Sequence, residues 1–139
     1  MEVIIRDATP DDADHVAQLW VDLNHYILEY APNYKYTDNA ATGFSEYLRT
    51  LPKDPNGLLI VAELEGRLIG FIRGSIFTRA PSFVIRQQGK IWDLYVSEKY
   101  RRQGIGQKLV EQALRFFREK EMKFVEKVVS KLKMSNVET

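Results

Sequence analysis

Apolar positions along the chain switch between a period near two and a period near 3.6, and the switches divide it into elements. Val3 to Ile5 is a short β-rich run and predicts a first strand. Thr9-Pro10-Asp11-Asp12 then predicts a helix start: Thr9 suits the N-cap, Pro10 the first helical position, and the acids the positive end of the helix. Val16, Leu19, Trp20, Leu23, Ile27 and Tyr30 follow at helical spacing and make one apolar face, which Pro32 and Asn33 end. Tyr34 to Asp38 reads as an aromatic, polar loop, and Ala40 to Leu51 as a shorter second helix. After the turn-rich break Pro52 to Gly57, Leu58 to Leu64 predicts a strand. Glu65-Gly66 is a tight turn of the hairpin kind, and Arg67 to Phe77 is the antiparallel partner. Arg79 to Gly89 reads as a loop, and Lys90 to Val96 as the most central strand. Gln107 to Lys120 predicts a helix with Leu109, Val110, Ala113, Leu114 and Phe117 inward. Phe124 to Leu132 fits either a continued helix or a final strand, because it contains the β-branched Val125, Val128 and Val129 but also the charged Glu126, Lys127 and Lys131. The order β-α-α-β-β-β-α-β predicts one α+β domain over residues 1–139.

The segment between the central strand and the last helix carries the strongest chemical signal. Arg101-Arg102-Gln103-Gly104-Ile105-Gly106 is a basic turn with two glycines that opens a helix. The first amides of a helix have no partner inside it, and the helix dipole adds positive charge at the same end. Glycine permits close approach to the backbone, so the turn predicts a site for phosphate or pyrophosphate. A dinucleotide fingerprint would need a third glycine where Leu109 stands. A Walker loop would need Gly-Lys-Ser/Thr, and the sequence here is Gly106-Gln107-Lys108-Leu109.

Composition narrows the function classes. A formal net charge of +1 gives no overall reason to expect nucleic acid or an acidic membrane as partner. The chain has no cysteine, which excludes disulfides, thiolate catalysis and zinc-thiolate sites, and its two histidines make a histidine-rich metal site a poor expectation. No metal is therefore expected. The N-terminal run is short, flanked by acids and unlike a signal peptide, and no apolar stretch is long enough to span a bilayer. A cytoplasmic protein is the expectation.

On Arg101 to Gly106, with Asp93-Leu94-Tyr95-Val96 before it and Leu109-Val110-Glu111-Gln112-Ala113-Leu114 after it, the chain resembles the GNAT superfamily of acyl-CoA-dependent N-acetyltransferases. The family signature is Arg/Gln-x-x-Gly-x-Gly/Ala between a strand and a helix. The local likeness spans roughly Lys90 to Glu119, and the element order from Val3 onward agrees with it. The resemblance implies a mainly antiparallel mixed sheet flanked by helices, with acetyl-CoA as cofactor. It places the pyrophosphate on the backbone amides from Arg102 through Gln107, taking in Gln103, Gly104, Ile105 and Gly106, with Arg101, Arg102 and Lys108 screening charge. It assigns Leu94, Tyr95 and Val96 to the cofactor as well. The main chain of Leu94 and Val96 would pair with the pantetheine arm as an added strand, and an amide near Val96 would hold the thioester oxygen in the transition state.

The same resemblance makes Asp93 the first candidate for catalytic base or water anchor, against a structural role. Several members carry a glutamate one position earlier, where this chain has Trp92. Strict strand alternation puts Trp92 and Asp93 on opposite faces. The acceptor amine would sit between the first two helices and the hairpin, with Tyr26, Glu29, Tyr30 and Tyr34 as candidate contacts, Tyr36 and Asp38 beside them, and Phe83 or Arg86 at the rim. Members usually continue into an Asn-x-x-Ala-like helix bearing a tyrosine near the leaving sulfur, followed by closing strands. Asn136-Val137-Glu138-Thr139 looks like the first turn of that helix, so a C-terminally short domain is expected, either as a fragment of an acetyltransferase or covered by a partner subunit; either way self-association is expected, as a homodimer or domain-swapped oligomer. The leading expectation is an N-acetyltransferase acting on a primary amine in a ternary complex. The alternative is a non-catalytic acyl-CoA-binding or regulatory module.

Overall fold

The computed structural model describes residues 2–127. Within them lies a five-stranded sheet in the order β1-β2-β3-β4-β5: β1 (Ile4–Asp7), β2 (Gly57–Leu64), β3 (Arg67–Thr78), β4 (Gln87–Val96) and β5 (Val125–Lys127). The first four strands pair antiparallel, and β5 runs parallel to β4. Helices α1 (Ala13–Leu28) and α2 (Ala40–Thr50) cover one face, and α3 (Ile105–Glu119), the crossover from β4 to β5, covers the other. The α+β sheet expected from the sequence is therefore the observed architecture.

Alternation along β2 explains the two layers. Leu58, Ile60, Ala62 and Leu64 meet α3, whereas Leu59 and Val61 meet α1 and α2. The expected β2–β3 turn is present, with Glu65 at φ 50° and Gly66 at φ 80°; two successive positive φ values are what a two-residue hairpin turn requires. The N-terminus of the first helix is tighter than expected. Pro10–Asp12 forms a 3-10 turn before α1 begins, and Asp12 accepts a hydrogen bond from the Thr9 backbone N–H at 2.8 Å. Arg6 closes on Asp12 at 2.8 Å and on Glu63 at 2.8 Å, which ties β1, β2 and the start of α1 together.

Several boundaries differ from the sequence reading. The loop before β4 is shorter, because the Arg79 N–H bonds Arg86 O and the strand starts at Gln87. Helix α3 starts at Ile105, two residues earlier than expected, since Gly104 at φ 80° is already its N-cap. Of the ambiguous Phe124 to Leu132 stretch, Val125–Lys127 is strand; its remainder and Asn136 to Thr139 lie outside the described residues.

Candidate active site at the end of strand β4

The end of β4 leaves part of its main chain outside the ladder with β3. Its residues pair with β3 as Gly70↔Val96, Phe71↔Tyr95 and Ile72↔Leu94, and the Ser97 N–H donates to Ile69 O at 2.8 Å. In an antiparallel ladder, hydrogen-bonded and non-bonded pairs alternate. Ser97 and Tyr95 therefore direct their polar main-chain groups to β3, and Leu94 and Val96 direct theirs outward, to the β5 side. Among the described residues, β5 pairs only with Gly89, Lys90 and Ile91, so it leaves this stretch of the edge uncovered.

The turn after β4 leaves backbone amides outside the helical ladder. Arg102 has φ 64° and Gly104 has φ 80°. The Lys108 N–H bonds Gly104 O at 3.1 Å, so the amides of Ile105, Gly106 and Gln107 precede the helical ladder. A Cβ at Gly104 would meet nothing within 4 Å, so glycine is needed there for its φ rather than for space. At Gly106 a Cβ would meet only Val96 Cγ2, at 3.8 Å, which an alanine satisfies. Arg102, Gln103 and Gln107 are exposed around this end, while Ile105 is buried and anchors the helix start against the sheet.

Arg101 takes a different course from the charge-screening one. Its Nε donates to Val96 O at 2.8 Å, and its guanidinium lies 5.3 Å from the Tyr26 ring and 5.4 Å from the Tyr95 ring. Burial pushes the Tyr95 phenol above its ordinary value; Asp22 on α1 adds to the rise and the Arg101 cation opposes it.

Trp92 and Asp93 share the α1/α2 face, contrary to the alternation expected from the sequence. The register shifts within β3–β4: Arg73 pairs with Asp93 and Gly74 with Ile91, so Trp92 is the extra residue of a β-bulge. The Trp92 Nε1–H donates to Ser75 Oγ at 2.9 Å, and Arg73 Nε donates to Asp93 Oδ2 at 2.7 Å. Ser75 and Arg73 are two apart on β3 and so point the same way. Asp93 is buried, and its cation partner also lies 5.3 Å from the Phe44 ring and 5.7 Å from the Trp92 ring.

The acceptor candidates divide. Tyr26 of α1 and Tyr30, just past its C-terminus, lie 6.0 Å apart, with Tyr26 beside Arg101 and Tyr30 largely exposed. Glu29 is exposed, and Tyr34 stands exposed in the turn Pro32–Tyr34. Tyr36 and Asp38 are elsewhere: with Trp20, Asn24, His25 and Lys35 they line a cleft of about 230 Å³ on another flank of α1. The sequence reading missed Arg73, Ser75 and Asp22. The first two owe their place to the bulge, and Asp22 could have been found from its spacing of four before Tyr26 on one helix.

A mixed sheet whose uncovered strand edge lies next to a left-handed turn and a helix N-terminus is the class of architecture this chain builds. The comparisons give that class its family. The model of the acetyltransferase (GNAT) family matches residues 18–137. An uncharacterized N-acetyltransferase of Archaeoglobus fulgidus is 32% identical over 127 residues, covering 88% of this chain and 78% of that one. An aminoglycoside acetyltransferase from an uncultured soil metagenomic sample, solved with sisomicin, superposes with TM-score 0.67 at 25% identity over 98% of this chain and 83% of that one. A predicted acetyltransferase of Clostridium acetobutylicum, solved with acetyl-CoA, shares the fold at TM-score 0.80 and 15% identity, over 99% of this chain and 87% of that one. The chain belongs to the GNAT acetyltransferase family.

Proposed function

We propose that this protein transfers an acetyl group from acetyl-CoA to a primary amine by direct attack in a ternary complex. The observation that carries the proposal is the outward main chain of Leu94 and Val96, continuous with the Arg102–Gln107 turn. An arm with amide groups adds to that edge as a strand. Its pyrophosphate ends on the amides of Gln103 to Gln107 at the start of α3. The amides of this edge also supply a donor for the oxyanion of the tetrahedral intermediate.

The amine nitrogen bonds the thioester carbon, the C–S bond breaks, and coenzyme A leaves as a thiolate, which takes up the proton that the nitrogen sheds on becoming an amide. The amine must first lose a proton, which for a lysine-like group near pKa 10.4 costs about 4.6 kcal/mol at pH 7. Asp93 is the proposed acceptor or anchor for that proton, since the bulge turns it to the face that α1 and α2 cover. The thiolate needs little help in leaving, because free thiols ionise near pH 8.5. With no cysteine in the chain, a thioester-linked enzyme intermediate is not part of the scheme. Tyr26, Glu29, Tyr30 and Tyr34 form the proposed acceptor side at the end of α1.

A second reading, an acyl-CoA-binding module without turnover, draws support from one feature: Arg73 already engages Asp93. Thiol release from acetyl-CoA with a mixed panel of amines separates the two. Amine-dependent release supports transfer, and tight binding without release supports the module. We place the protein in the cytoplasm. We also propose a homodimer formed at a sheet edge, for which a monodisperse monomer in sedimentation would be contrary evidence.

A further inference from the structure

Arg101 stands at the head of the glycine turn, where a cation serves a phosphate, yet its bonds run the other way. The left-handed Arg102, at φ 64°, reverses the chain just after it. That reversal leaves the following amides at the head of α3 and the Arg101 side chain against the strand end. There Nε holds Val96 O at 2.8 Å, and the guanidinium lies between Tyr26 of α1 and Tyr95 of β4, 5.3 and 5.4 Å from their ring centroids. Arg101 is half-buried, whereas Arg102 is exposed.

We infer that Arg101 is a positioning residue, which fixes the β4 edge that receives the arm of the coenzyme and ties that edge to helix α1, and that it is not a phosphate ligand. The inference rests on the coenzyme reading above. A carbonyl oxygen has two lone pairs. Arg101 uses one at Val96 and sets the plane of that peptide, and the other is left for an N–H of an extended ligand. A lysine cannot replace this arrangement. It has the charge but neither the Nε–H at that point of the chain nor a planar head to lie between two rings.

Charge and position give opposite patterns on the two halves of the coenzyme. The test measures binding of three ligands by NMR titration: acetyl-CoA, acetylpantetheine (the arm without phosphates) and 3′-phospho-ADP (the phosphates without the arm). It compares the natural protein with Arg101→Ala and Arg101→Lys. Both variants are expected to lose roughly tenfold on acetyl-CoA and on acetylpantetheine, in line with one hydrogen bond to a charged group. Both keep 3′-phospho-ADP within about twofold, the phosphates being held by backbone amides. Retained 3′-phospho-ADP binding also shows that the turn and α3 are folded. Loss on 3′-phospho-ADP, alone or together with the arm, overturns the inference, as does Arg101→Lys binding all three like the natural protein. If the natural protein binds none of the three, the coenzyme reading itself is overturned.

Discussion

Arg73 Nε lies 2.7 Å from Asp93 Oδ2, joining neighbouring strands on the face that α1 and α2 cover. The side chains are 17% and 9% exposed, so this ion pair is well shielded from water. Removing one member of a shielded pair breaks a charge-assisted hydrogen bond away from water, at a cost of about 3 kcal/mol. Arg73→Met should therefore destabilise by about 3 kcal/mol in urea unfolding, and Asp93→Asn by less, because the amide still accepts a hydrogen bond. The double variant should lose clearly less than the two single losses added together. Additive losses would show that the two groups do not act as a pair.

Gly104 and Gly106 separate backbone strain from steric room. Gly104→Val places a β-branched side chain at φ 80° and should cost about 1–2 kcal/mol of stability. It should also abolish acetyl-CoA binding, because the turn can no longer hold its shape. Gly106→Ala has the space and a helical backbone, so it should bind acetyl-CoA normally and gain about 0.5 kcal/mol of stability. Unchanged coenzyme affinity in Gly104→Val, measured by calorimetry, would remove the pyrophosphate from this turn.

Gly89 sets how closely α3 approaches the sheet. A Cβ there would stand 2.6, 2.7 and 2.9 Å from three ring carbons of Phe117, which is itself buried. Gly89→Ala should therefore push the helix outward and cost about 1–3 kcal/mol by overpacking. Since the proposed pyrophosphate site opens α3, weaker acetyl-CoA binding should accompany the lower melting temperature. A variant as stable as the natural protein would mean that Phe117 moves aside without cost.

Hydrogen bonding from Arg6 holds the Asp12 carboxyl below its ordinary value, against the opposing effect of burial. With the folded value depressed, the unfolded chain takes up the proton first as pH falls. The stabilisation is thus fully present above the unfolded value of about 3.9 and is lost as pH drops through the folded value. Urea unfolding between about pH 5 and about pH 2 should show this loss, and Asp12→Asn should flatten that part of the curve. An unchanged acid limb in Asp12→Asn would place the acid sensitivity in other carboxylates.

What could be read from the sequence was whatever depends on local chemistry. Glu65-Gly66 announces its turn because few residue pairs tolerate two positive φ values, and Gly104 announces the turn before α3 because glycine takes a positive φ without strain. The apolar stripe from Val16 to Ile27 and the run Leu58 to Leu64 fix which faces are buried. The bulge at Trp92 was out of reach, because it arises from register with β3 and neither strand encodes it alone. That single inserted residue defeats the alternation argument and brings Trp92 and Asp93 to one face. The course of Arg101 was hidden for a related reason: its partners, Tyr26 and Val96 O, come from a helix 75 positions upstream and from a carbonyl five positions back. A side chain that reads as charge in the sequence spends its geometry on long-range packing.

The account turns on the β4 edge and its glycine turn receiving an acyl-CoA. Calorimetric titration with acetyl-CoA, with desulfo-CoA and NAD as controls, tests this most directly. Binding of both coenzyme A ligands and not of NAD is the predicted result, because the arm and its pyrophosphate, not the thioester or the nucleotide alone, match the site. Absence of binding by either coenzyme A ligand, or binding of NAD at equal strength, would contradict it.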